Sequence, residues 1–151
     1  MEKRGYFANC YVLTNTRTKE FINSFLDKFV PLRSETSDIY EVPLYAKETK
    51  NTFETSTELI DYLIENKHEI YTIYWANNES SDIRIAMCFF TDDDNLIVGI
   101  SCETMYLNTS IEDKVFNDLK IFCNSDKGYI TYEQPTTHNT KEFLEIVKTI
   151  E

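Results

Sequence analysis

The sequence predicts an α+β domain, a mostly antiparallel sheet built on a central three-strand meander with about four helices packed on it. Three observations carry that expectation. Strand-like runs follow one another closely between Ile70 and Glu103. Apolar stripes at helical spacing lie before and after them. Only 3 Gly and 3 Pro among 151 residues leave little room for flexible linkers, so 1–151 is read as a single domain.

Tyr6 to Thr14, rich in aromatic and β-branched residues, reads as a first strand. A helix follows, announced by cap candidates from Asn15 to Thr18, with Phe21, Ile22, Phe25, Leu26 and Phe29 on one stripe and Pro31 as its stop. Leu32 to Asp38 is a polar connection. Ile39 to Leu44 contains Pro43, which donates no ladder bond, so it is expected as an edge strand if it is a strand at all. Tyr45 to Thr55 is the longest irregular stretch, and long ordered loops carry function more often than chance.

Thr55 and Glu58 have capping-box spacing ahead of a second helix carrying Leu59, Ile60, Leu63 and Ile64. The meander then runs through Ile70–Ala76, Ile83–Thr91 and Asn95–Glu103. Its middle strand is apolar on nearly both faces, as a central strand must be when covered on both sides. Asp92-Asp93-Asp94-Asn95 supplies the turn chemistry of a hairpin loop. Gly99 marks either a bulge or a close approach by another group.

A second capping-box match, Thr109 to Glu112, opens a third helix whose stripe is Ile111, Val115, Leu119 and Phe122. Gly128 to Tyr132 reads as a last short strand. Thr140 to Ile150 reads as a final helix, with Phe143, Leu144, Val147 and Ile150 inward. Helical crossovers leave room for one parallel strand pair.

Charge narrows the function. With 15 Lys and Arg against 26 Asp and Glu, the formal net charge is −11. Such a surface disfavours nucleic acid and anionic membranes and favours a basic protein partner. The N-terminal residues hold no apolar stretch of signal-peptide length, and no window reaches the roughly 18 apolar residues of a membrane span. The expected location is the cytoplasm. Cys10, Cys88, Cys102 and Cys123 stand singly and read as reduced core residues.

A search for chemistry finds no catalytic residue, metal ligand set or cofactor motif. His68 and His138 lie in polar segments without a ligand partner at metal spacing. Asp92 to Asp94 could offer oxygens to a hard cation, but the loop lacks the Gly and terminal Glu of an EF-hand, so a turn is the better reading. With 3 Gly in the chain, no phosphate-cradling loop or nucleophile elbow is present.

Surface character remains. Acidic residues recur in the loops beside the sheet: Glu35, Asp38, Glu79, Asp82, Asp92, Asp93 and Asp94 are the candidate partner-binding residues. Ten tyrosines add contact area suited to interfaces. In size, charge and element order the chain resembles the small acidic α+β immunity proteins that bacteria make against toxins, and the stretch from Ile83 to Glu103 is similar to segments in several such families. The resemblance implies a non-enzymatic inhibitor of a basic toxin domain. A rival expectation is a small-molecule site or enzyme pocket between the sheet and loop 45–55, lined by Tyr74, Trp75 or His138. A third is a homodimer joined through the strand at Ile39 to Leu44.

Overall fold

Period-two burial along β1 (Phe7–Thr14) shows at once that the sheet is covered on two sides. Ala8, Cys10 and Val12 enter one core and Tyr11 and Leu13 another. The computed structural model describes residues 7–44, 48 and 50–150. After β1 come α1 (Lys19–Phe29), β2 (Arg33–Glu35), β3 (Tyr40–Val42), β4 (Asn51–Phe53), α2 (Ser56–Glu65) and β5 (Tyr71–Asn77). The chain continues through β6 (Ile83–Phe90), β7 (Leu96–Glu103), α3 (Ser110–Cys123), β8 (Gly128–Tyr132) and α4 (Thr140–Ile150). No helix among the described residues is long and apolar enough to cross a membrane.

Six strands form the main sheet in the order β2-β5-β6-β7-β1-β8. The β5-β6-β7 meander is at its centre, as its two-sided apolar pattern predicts. Every pairing among the described residues is antiparallel, so the parallel pair for which the crossovers left room does not occur there. On one face α1, α2 and α3 pack with Ile22, Phe25, Leu59, Leu63, Val115 and Leu119 against Cys10, Ile73, Trp75, Phe90 and Ile100. α4 covers part of the other face, setting Phe143 and Val147 against Tyr11, Met87, Phe89 and Ile97.

Several expectations need correction. Ile39 to Leu44 does hold an edge strand, but outside the main sheet: β3 pairs with β4 in a separate two-stranded ribbon, and Tyr40 and Val42 are buried in the helix-side core. One edge of the main sheet, opposite β8, lies in the supposed polar connection, where β2 pairs with β5 through Arg33↔Asn77 and Glu35↔Trp75. An edge strand with both faces near solvent needs no apolar alternation, which is why it reads as loop. Loop 45–55 likewise holds β4, and its residues 45–47 and 49 lie outside the described residues.

Cap chemistry also divides. Thr18 Oγ1 accepts from Phe21 N, and Thr55 Oγ1 from Glu58 N, as N-caps should. Thr109 makes no such bond, its hydroxyl donating to Asp113 Oδ2 instead, and Glu112 turns inward, so the reciprocal half of the capping box is missing too. In α4, Leu144 and Ile150 are 38% and 58% exposed, so only Phe143 and Val147 of the expected stripe are buried. Gly99 resolves as a close approach: a Cβ there would lie 2.9 Å from Tyr11 Cδ1. The bulge lies at Arg84, between Ile83 and Ile85.

Candidate functional site

The seven acidic candidates do not form one surface. β5 and β6 pair from Tyr71↔Phe90 to Ala76↔Ile85, which places Asp92–Asp94 and the Glu79–Asp82 loop at opposite ends of the sheet. At about 3.3 Å per residue, six paired positions separate the two groups by roughly 15–20 Å. Glu35 and Asp38 lie along and beyond the β2 edge.

Three of the seven carboxylates already serve the fold. Asp93 Oδ1 accepts from Thr140 Oγ1 at 2.7 Å, and Asp92 accepts from Asn139 Nδ2 at 3.1 Å. Asn139 in turn caps α4, its Oδ1 accepting from Glu142 N at 3.0 Å. The acidic turn thus holds the start of α4, where carboxylates also complement the helix dipole. Asp94, at φ 67°, takes the left-handed conformation the turn requires, and its N–H donates to the Lys67 carbonyl. Glu35 Oε1 accepts from both Tyr40 OH and Ser56 N, each at 2.8 Å, tying the β2 edge to the start of α2. By contrast, Asp38, Glu79 and Asp82 are exposed, and their side chains have no hydrogen-bond or ion-pair partner among the described residues.

The expected pocket residues do not converge. Trp75 is 2% exposed and belongs to the helix-side core. Tyr74 lies on the opposite face of the sheet, 6.5 Å from the Phe89 ring. His138 is on that second face too, 5.6 Å from Phe89 and hydrogen-bonded to Thr72 Oγ1. Burial lowers the His138 pKa, against a smaller opposing effect of Asp92. The sheet itself therefore stands between Trp75 and the other two.

A cleft of about 510 Å³ opens elsewhere, between the end of α1, the β5–β6 loop and α3 from Ser110 to Asp118. Phe29, Ile83, Ile111 and Val115 give it apolar walls. Lys28, Asp82, Lys114 and Asp118 supply its charges. Of the acidic candidates only Asp82 lines it.

Two buried charged residues had no place in the site reading. Arg17, 5% exposed, donates from Nη1 to the carbonyls of Thr91 and Asn95 and from Nη2 to those of Leu63, Asn66 and Glu69. Burial lowers its pKa, while Asp94 and Asp93 oppose that shift. Glu112 is fully buried, and its Oε2 accepts from Thr104 Oγ1 and Tyr132 OH, each at 2.7 Å. Its Oε1 has no hydrogen-bond partner among the described residues. Nearby, Cys10 Sγ donates to the Glu112 carbonyl, and the Cys10 pKa is raised by its hydrogen bond with Cys102 and by burial. Burial also raises Cys88 and pushes Cys123 up to about 12. All four thiols are buried and unpaired, as the sequence suggests, and Cys10, Cys88 and Cys123 are held well away from the thiolate a nucleophile needs.

A sequence signal existed for Glu112, which falls in register with Val115, Leu119 and Cys123 on the buried stripe of α3. Arg17 had none, since its partners are backbone carbonyls of distant segments. Comparison with known proteins finds no matching family model, curated sequence or solved structure.

Proposed function

We propose that the chain is a non-enzymatic binding module for a basic protein, acting as an immunity-type inhibitor of a basic toxin domain. The observation that carries the reading is the β5–β6 loop, where Glu79 and Asp82 stand exposed without a side-chain partner among the described residues in a chain of net charge −11. Carboxylates held by internal donors, as at Asp92, Asp93 and Glu35, have their strongest bonds satisfied within the fold. Those left to solvent are free to meet a partner's cations, and the field of the whole chain steers such a partner in.

The histidines and cysteines, the side chains best suited to acid–base or nucleophilic work near neutral pH, are engaged within the fold. Both histidines are hydrogen-bonded, His68 through Nδ1 to the Asp92 carbonyl at 2.9 Å and His138 to Thr72, and the four thiols are buried. These placements favour binding over catalysis. The internal bonds of Asp92 and Asp93 in turn favour the Glu79–Asp82 end of the sheet over the Asp92–Asp94 end for a partner.

Affinity capture at low ionic strength tests the reading, with the wild-type chain and a Glu79→Lys/Asp82→Lys variant as baits. A basic protein retained by the wild type, lost from the variant and released by added salt is the expected result. If that protein arrests growth when expressed alone and growth returns on co-expression, the inhibitor role follows. Equal retention by both baits, or retention insensitive to salt, would count against the proposal.

A further inference from the structure

We propose that the cleft between α1 and α3 receives an arginine or lysine side chain of the basic partner, its alkyl stem against the apolar walls and its cationic head on Asp82. This rests on the binding reading above and assigns that partner a specific point of entry. The cleft, at about 510 Å³, is in the size range of small-ligand sites and accommodates a long side chain with the backbone on either side of it.

Charge decides which kind of side chain fits. The cleft holds two lysines and two aspartates, so its formal charge is balanced. One pair is internal, with Lys114 Nζ 3.0 Å from Asp118, while Lys28 Nζ sits 5.7 Å from the centroid of the Phe29 ring, at the α1 wall, and keeps its charge. Asp82 is the cleft carboxylate that stands exposed and without a side-chain partner among the described residues. Its backbone is fixed, because its carbonyl accepts from Glu103 N at 2.8 Å and so anchors the loop to β7. A carboxylate on an anchored backbone, beside Ile83 in a cleft that Ile111 and Val115 also line, suits an amphipathic cation, since arginine and lysine lay their methylene stems on apolar surface and keep the charged head on a polar rim. The −11 net charge of the chain adds a field that favours a cation over an anion.

Titration of the ¹⁵N-labelled chain with N-acetyl-arginine amide tests the assignment, with N-acetyl-norleucine amide and N-acetyl-glutamate amide as controls. Arginine amide is expected to give saturable amide shifts at Ile83, Ile111 and Lys114. Asp82→Asn should weaken that binding about tenfold, the usual scale for losing a charge-assisted contact. Ser110→Trp, which places a bulky ring at the exposed cleft margin without changing charge, should abolish it. Circular dichroism checks that each variant is folded, and Asp82→Asn keeps the test intact if the tryptophan variant is not. Preference for glutamate amide would overturn the proposal by marking an anion site. Arginine shifts scattered over the acidic surface and unchanged in Asp82→Asn would overturn it too. A basic protein still captured by Ser110→Trp but lost from Glu79→Lys/Asp82→Lys would defeat the cleft assignment alone and leave the binding reading standing.

Discussion

Arg17 Nη1 lies 2.7 Å from the Thr91 carbonyl, so a side chain from the β1–α1 connection closes the end of the central hairpin. The same guanidinium reaches the C-terminal carbonyls of α2 through Leu63 and Asn66, and it stacks 5.1 Å from the Phe90 ring. A cation at a helix C-terminus is favoured by the dipole, and a planar fork can serve several carbonyls at once. Arg17→Met is therefore expected to destabilise by about 3 kcal/mol or more, because buried carbonyls lose their donor together. Arg17→Lys should recover only part of the loss, since an ammonium cannot span the same set. Urea unfolding followed by circular dichroism measures both.

Glu112 gives a different kind of prediction. Tyr132→Phe removes one of two hydroxyl donors from a fully buried carboxylate and should cost about 1.5–3 kcal/mol. Glu112→Leu alone leaves the Thr104 hydroxyl without its acceptor and should cost a similar amount. Glu112→Leu with Tyr132→Phe and Thr104→Val removes donors and acceptor together, and should lie well above the sum of the single losses in stability. Additive losses in the triple variant would show that the polar cluster does not act as a unit.

The difference between these two residues shows how far the sequence could be read. Helices and central strands were legible because their cores repeat: Ile22, Phe25 and Phe29 on α1, and the two-sided run of β6, are periodic and local. β2 was not, since three residues at a solvated edge need no pattern. The acidic turn was legible as a turn, but its bonds to Asn139 and Thr140 join positions 47 residues apart. Which of seven acidic residues remain free was therefore out of reach of spacing arguments. The cleft at Asp82 depends on three separate elements converging and has no sequence signature.

His138 predicts a pH dependence. Burial depresses its folded-state pKa below the ordinary 6.5, so the unfolded chain binds the proton more readily than the native one. The stability from the neutral ring is fully present above pH 6.5 and is lost as pH falls through the depressed folded value. The contacts at risk are with Thr72, the Phe89 ring and the backbone bond from Asp92 N to the His138 carbonyl. His138→Gln should flatten the stability profile below pH 6.5 while leaving the carboxylate-driven loss at lower pH in place. An unchanged slope in the variant would remove His138 as its source.

Asp93 and Asp82 should separate stability from binding. Asp93→Lys breaks the 2.7 Å bond from Thr140 Oγ1 and puts a cation at the N-terminus of α4, where the dipole disfavours it. It also replaces one of the two carboxylates whose field supports the buried Arg17 charge. A loss of about 1–2 kcal/mol is expected. Asp82→Lys touches an exposed, unpartnered side chain and should change stability by no more than about 0.5 kcal/mol. Affinity for a basic partner should move the other way: Asp82→Lys reverses a charge at the cleft and lowers it sharply, whereas Asp93→Lys, at the far end of the sheet, lowers it only through the long-range field, an effect that added salt screens away. Thermal unfolding and binding measured on the same two variants decide the matter, because a partner docked on the Asp92–Asp94 turn would reverse the order of their affinities without altering the order of their stabilities.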